Sequence, residues 1–116
     1  MKTGDIIEKP WGYERILDLN DRYCIKELFV NQGQRLSKQY HEHKRETMFL
    51  KSGGASLLLA SNDSEDELQM VRDQPYTIEP GTVHRLKGTS PDGALILEMS
   101  SPEIEDVIRI EDDYGR

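Results

Sequence analysis

The chain has 116 residues, 35% hydrophobic and 32% charged, with 22 acidic against 15 basic side chains and a formal net charge of −7. That length allows one domain with a real core and not two, and the net negative charge repels nucleic acid and anionic lipid, so neither is expected as a partner. Apolar runs such as Ala94 to Leu97 are strand-sized, too short to span a bilayer. Asp5, Glu8 and Lys9 interrupt any apolar leader, and a lone cysteine, Cys24, suits a reducing compartment, so a cytoplasmic location is expected.

In chain order the elements read almost wholly as strand and turn. An N-terminal arm covers 1–14. Tyr23 to Val30 alternates as a half-buried strand and ends at the turn Asn31-Gln-Gly33. Leu36 to His41 and Thr47 to Lys51 follow, the latter closed by Ser52-Gly-Gly54, and then Ala55 to Ala60. Ser61 to Glu67 is polar and acidic and reads as a solvated hairpin loop. Shorter strands are predicted around Leu68–Val71, Tyr76–Ile78 and Val83–Lys87, with Pro80-Gly81 as a turn between the last two. Ala94 to Ser100 is the last clear strand, and the charged tail 102–116 reads as short helix or extended edge. Many short strands separated by glycine and proline indicate a β-sandwich or barrel.

Only three histidines are present: His41, His43 and His84. Residues two apart on a strand share a face, so Gln39, His41 and His43 can point the same way. If His43 faced Glu46 across a hairpin, Lys44-Arg45 alone would form the turn, and two-residue hairpins want positive φ. The longer connection is favoured, which pairs Gln39 with His41 and leaves His43 in the turn.

The stretch Gly33-x5-Gln39-x-His41-x4-Glu46-x6-Gly53 resembles the first cupin motif, with glutamine where a histidine usually stands, and Gly81-x2-His84 resembles the core of the second. Lys9-Pro-Trp-Gly-Tyr13, Gly33 to Ser37, Gly81 to Leu86, Asp106 to Arg109 and the terminal Asp113-Tyr-Gly-Arg116 are similar to the isomerase domain of type II phosphomannose isomerases. In that family the domain is often fused behind a sugar nucleotidyltransferase, and none is expected within this length. The chain departs from the family pattern where Lys44 replaces an arginine and Met48 a tryptophan, and in the second motif, whose proline is shifted to directly before Gly81 and whose closing asparagine is Gly88.

The resemblance implies an all-β, single-domain cupin over 1–116, a double-stranded β-helix or jelly-roll barrel. It also implies one divalent transition metal held by Gln39, His41, Glu46 and His84. Mixed nitrogen and oxygen ligands suit zinc first, with manganese, iron, cobalt and nickel as alternatives. The activity implied is isomerisation of a sugar phosphate, mannose 6-phosphate to fructose 6-phosphate, through an enediol. Lys26 and Glu98 each sit among apolar residues on a strand, where a buried charge needs a partner, so they are expected to pair with one another. Within a metal pocket Glu98 becomes the candidate base and Lys26 the charge that balances the enediolate. Arg35, Lys44, Arg109 and Arg116 are the candidate anchors for the anionic substrate. Trp11, Tyr13 and Met48 read as core rather than substrate platform, and Cys24 as a small buried hydrophobe. Trp11 and Tyr13 also offer the aromatic surface on which a homodimer is expected. The departures at Lys44 and Met48 keep a non-catalytic sugar-binding cupin in view. The fold equally houses other metal enzymes, such as dioxygenases.

Overall fold

The computed structural model describes residues 1–61 and 64–116; Asn62 and Asp63, within the expected acidic loop, lie outside the described residues. Among the described residues eleven strands follow one another: β1 Ile6–Lys9, β2 Gly12–Leu19, β3 Cys24–Val30, β4 Lys38–Tyr40, β5 Glu46–Gly53, β6 Ala55–Ser61, β7 Ser64–Gln69, β8 Tyr76–Ile78, β9 Val83–Gly88, β10 Ala94–Ser100 and β11 Ile108–Glu111. They form a six-stranded sheet in the order β1-β2-β3-β10-β5-β8 and a five-stranded sheet in the order β11-β4-β9-β6-β7. From β3 onward every connection crosses from one sheet to the other, except β6 to β7.

Period-two alternation decides what lies between the sheets. In the larger sheet Gly12, Val30, Ala94 and Gly53 stand in one cross-strand row, and Glu14, Leu28, Ile96 and Leu50 in the next. Ile16, Lys26, Glu98 and Met48 form the third row, and Cys24, Ser100 and Glu46 the fourth. The smaller sheet runs in parallel fashion from Ala55 and Gly88, through Leu57 and Leu86, to a row of Leu59, His84, Gln39 and Arg109. Both inner faces therefore pass from apolar at one end to ionisable at the other. The apolar end is a closed core of Trp11, Leu28, Val30, Leu50, Leu57 and Ile96 with their neighbours, each large side chain contributing about 1.5–3 kcal/mol by leaving water.

Three features differ from the sequence reading. The arm over 1–14 is β1 and the start of β2, paired from Ile6↔Arg15 to Lys9↔Gly12. The acidic stretch expected as a loop is largely β7, fully exposed and paired along β6. Strand pairing overrides its poor propensity there, and its charges suit an outer edge. Trp11, at 2% exposure, is part of the core and offers no surface to a second copy, while Tyr13 stacks on Phe29 at 5.7 Å. Of that aromatic pair, the half-buried Tyr13 alone keeps surface accessible to a second copy. Part of the tail does run as an extended edge, with β11 against β4.

Gly12 explains the fixed entry into β2. Its φ is +153°, and a Cβ there would lie 1.8 Å from the Phe29 carbonyl oxygen. Gly12→Ala should therefore push β2 off β3 at a cost of about 2–3 kcal/mol, lowering the thermal midpoint by about 10 °C. Thermal unfolding followed by circular dichroism checks this. An unchanged midpoint would mean that the β2–β3 contact is not close.

Candidate metal centre and cavity

The ligand-type residues come from three places in the chain, and the sheet crossings bring them together. Gln39 on β4 stands opposite His84 on β9 and Arg109 on β11, so these side chains lie side by side on one inner face. His41 follows β4 and Glu46 opens β5. Because β4 and β5 belong to different sheets, the connection at 42–45 is a corner between layers and not the hairpin turn expected from sequence. His43 lies out on that corner, exposed. At the Pro80-Gly81 turn the Gly81 amide donates to the His41 carbonyl at 2.7 Å, which seats the start of β9 against the first ligand.

His41, Glu46 and His84 are all buried, and one ligand atom from each lies within 4.8 Å of the others. Glu46 Oε1 is 3.2 Å from His41 Nε2 and 2.9 Å from His84 Nε2. The far ring nitrogens are engaged elsewhere: His41 Nδ1 with the Asp106 carbonyl and His84 Nδ1 with the Thr82 carbonyl at 2.9 Å. A carbonyl can only accept, so each Nδ1 carries the proton, and in a neutral ring Nε2 presents a lone pair. Two lone pairs and a carboxylate oxygen then face each other in a dry site. His84 Nε2 finds no hydrogen-bond partner, and Glu46 Oε2 meets the Lys44 ammonium 3.4 Å away, without hydrogen-bond geometry. Orphaned buried acceptors of this kind are costly, and a divalent cation among them answers the deficit. These residues fit a metal. Gln39 lines the same cavity beside His84, its side-chain oxygen 3.4 Å from Ser37 Oγ.

Behind the cluster is a second layer of charge. Burial works against ionisation of Glu46, but a hydrogen bond from Glu98 and the nearby Lys44 ammonium hold its carboxyl well below the usual range. Lys44 Nζ is 3.4 Å from Glu46 Oε2. Burial opposes the Lys44 charge too, and Glu98 and Glu46 more than restore it. Glu98 goes the other way: burial, then the negative charge of Glu46, pushes its carboxyl up to about 8. The Glu46–Glu98 pair thus shares one proton near neutrality, as two close carboxylates must.

These residues line a cavity of about 270 Å³, a small-ligand volume. Of the candidates from sequence, Gln39, His41, Glu46, Lys26, Glu98, Lys44, Arg109 and Arg116 line it, and His84 stands in the cluster with His41 and Glu46. Arg35 does not. It is held outside by a two-point pair with Asp113 at 2.6 and 2.9 Å. Lys26 and Glu98 are direct cross-strand neighbours, yet the carboxylate nearest Lys26 Nζ is that of Glu14, at 3.5 Å. Met48 is core.

Three residues escaped the sequence reading. Glu14 stands early in β2, after the turn at Pro10-Trp11, and its signal was a charge in the inward phase of a strand with Ile16. Lys9 lines the cavity and has no ion pair among the described residues. Asp106 accepts the amides of Glu42, His43 and Lys44, and those hydrogen bonds draw its carboxyl down to about 2. Nothing local to residue 106 announces that role.

Two facing antiparallel sheets with crossing connections, and a buried two-histidine, one-glutamate cluster at one end, define a cupin. The superposition agrees. The capsular polysaccharide assembling protein CapF from Staphylococcus aureus matches with a TM-score of 0.82 at 16% identity, over 92% of this chain and 34% of that one. Oxalate decarboxylase from Bacillus subtilis matches with a TM-score of 0.79 at 11% identity, over 92% and 30%. More specifically, the Mannose-6-phosphate isomerase C-terminal family matches residues 1–112, and the chain belongs to that family. Among curated relatives, the Xanthan biosynthesis protein XanB of Xanthomonas campestris pv. campestris is 31% identical over 113 residues, 95% of this chain and 23% of that protein. The Mannose-1-phosphate guanylyltransferase of Escherichia coli is also 31% identical over 113 residues, with the same coverage of 95% and 23%. The chain therefore spans about a quarter of the length of these relatives. No helix is long and apolar enough to cross a membrane among the described residues.

The raised Glu98 has a measurable consequence. Between its ordinary value of 4.5 and about 8, the native state keeps a proton that the unfolded state releases. Stability contributed by this group is present below that window and is lost as pH rises through it. Chelator-treated protein should therefore unfold at a lower denaturant midpoint at pH 8 than at pH 6, and Glu98→Gln should flatten the difference. An equal fall in the variant would place the responsible proton elsewhere.

Proposed function

We propose that this chain is a metal-dependent aldose–ketose isomerase of a sugar phosphate, of the mannose 6-phosphate and fructose 6-phosphate type. The observation that carries the reading is a single cavity in which a buried two-histidine, one-glutamate cluster adjoins a protonatable carboxyl, Glu98, and an ammonium, Lys26. Membership of the Mannose-6-phosphate isomerase C-terminal family supports it.

Gln39, His41, Glu46 and His84 would hold one divalent transition metal, zinc first among the candidates, which when bound polarises the sugar carbonyl and steadies the oxygen that gains charge. The chain's own residues supply the rest. Glu98, in its carboxylate form, takes the proton from C2 of the aldose and returns it to C1, while the O2 hydroxyl proton passes to O1, leaving the carbonyl at C2. A base poised near neutral pH suits both transfers. Lys26, in the adjoining strand position, offsets the negative charge that builds on the sugar oxygens, and Glu14 behind it holds the ammonium in place.

The phosphate must be met against a net charge of −7. Among the cavity's cations, Lys26 is committed to Glu14, Lys44 to Glu46 and Arg116 to Asp112 at 3.0 Å. Arg109 and Lys9 have no ion pair among the described residues, so they are the anchors this reading assigns, with Arg116 beside them. The family tryptophan replaced by Met48 is a core position, so that departure leaves the cavity wall intact.

Isomerisation of mannose 6-phosphate, assayed as fructose 6-phosphate formed by the metal-loaded protein, tests the proposal, and a folded, metal-loaded protein without that activity would favour a sugar-binding role. Glu98→Gln should lower turnover by about 10²-fold or more, with metal content and KM little changed. Arg109→Ala should raise KM for the phosphorylated sugar more than it lowers kcat, because an anchor acts alike in ground and transition states. Equal loss of kcat in both variants would merge the two roles and contradict the assignment.

A further inference from the structure

The corner between His41 and Glu46 has no regular structure of its own, and what fixes it is one residue of the tail. Asp106 Oδ1 accepts the Glu42 amide at 3.0 Å, and Oδ2 accepts those of His43 and Lys44 at 2.7 and 2.9 Å. The carbonyl of the same residue accepts from His41 Nδ1. Three successive amides aimed at one carboxylate make a concave anion seat, here filled by the protein itself. Close by, the Ser101 amide donates to the Arg45 carbonyl, and Ser101 Oγ accepts from the Arg45 amide, both at 3.0 Å. The tail thus spans the whole corner between two ligands. It also forms a wall of the cavity through Ile104, Glu105, Val107 and Arg109, and Arg109 stands opposite Gln39 in the sheet.

We propose that Asp106 is the positioning residue of the metal centre, and that through it metal binding and the ordering of the cavity wall at 101–109 are coupled. This rests on the metal-dependent reading above. The physical basis is twofold. A ligating imidazole binds best when its other nitrogen is held by a fixed acceptor, here the Asp106 carbonyl, which the side-chain seat keeps in place, and disturbing such a partner weakens metal binding by about 10–100-fold. The same contacts tie the tail to the ligand corner, so a cation that tightens the corner tightens the wall, and by linkage an ordered wall strengthens metal binding.

The test compares wild type, Asp106→Ala, Asp106→Asn and Asp113→Ala. Asp113 holds the tail through Arg35 and Arg85, away from the metal corner, and serves as the control for general loosening. Zinc affinity is measured by chelator competition, and amide hydrogen exchange is followed at 42–44 and 101–109 with and without zinc. Asp106→Ala should weaken zinc binding about 10–100-fold, Asp106→Asn less because it keeps one acceptor oxygen, and Asp113→Ala little. Zinc should slow exchange across 101–109 in the wild type and fail to do so in Asp106→Ala. Nitrogen-15 spectra should show the His41 proton on Nδ1 in the wild type and distributed between both nitrogens in Asp106→Ala. The proposal is overturned by folded Asp106 variants that bind zinc like wild type, by equal weakening in Asp113→Ala, or by zinc that leaves tail exchange unchanged. A wild type that takes up no metal overturns this coupling together with the metal reading. Zinc-coupled tail protection in a protein without isomerase activity would leave the coupling standing and remove only the catalytic reading.

Discussion

The burial of the Glu46 carboxylate is the constraint around which the rest of the site is built. At 2% exposure, facing inward from the first position of β5, it needs compensation from every side. The compensation comes from far apart in the chain: His41 from the preceding corner, His84 from β9, Lys44 from the corner itself and the proton on Glu98 from β10. Removing one partner of such a group leaves an uncompensated buried charge, which costs more than the pair contributes. A cupin solves the problem by crossing between sheets at nearly every connection, so that residues distant in sequence share one end of the sandwich.

The charge pattern follows the same logic. The outside is acidic, as on β7, where Ser64 to Gln69 is wholly exposed. Cations are drawn inward, where carboxylates already stand. Lys26 and Glu98 are register partners, yet Glu98 is occupied by Glu46, and Lys26 turns across the sheet to Glu14. Pairing by register alone therefore names the wrong partner. A buried network is settled by which carboxyl keeps its charge, and that is decided by Glu46.

Much of this was readable in advance. Alternation along Tyr23–Val30 and Ala94–Ser100 marks β3 and β10, because both faces of those strands have a defined environment. The ligand-type residues at His41, Glu46 and His84 were visible through the spacing around two glycine-bearing turns. Their grouping in space needed the crossings between sheets, which spacing does not encode. The acidic strand β7 was hidden because its propensity opposes the pairing that tertiary context imposes. Glu14 and Asp106 were hidden for a different reason. Each is an ordinary acidic residue near a chain end, and each acquires its role from a partner 12 or more residues away, Lys26 for the one and the 42–44 amides for the other. Arg35, expected among the anchors, precedes β4, and Asp113 draws its guanidinium to the outside.

The central claim is that His41, Glu46 and His84 form a metal centre, and the most direct measurement is X-ray absorption at the metal edge of zinc-reconstituted protein. One zinc per chain, ringed by nitrogen and oxygen at about 2.0–2.2 Å with no sulfur, and absent from His84→Ala, is the predicted result. A folded wild-type protein that retains no zinc, or one whose zinc environment is unchanged in His84→Ala, would contradict it.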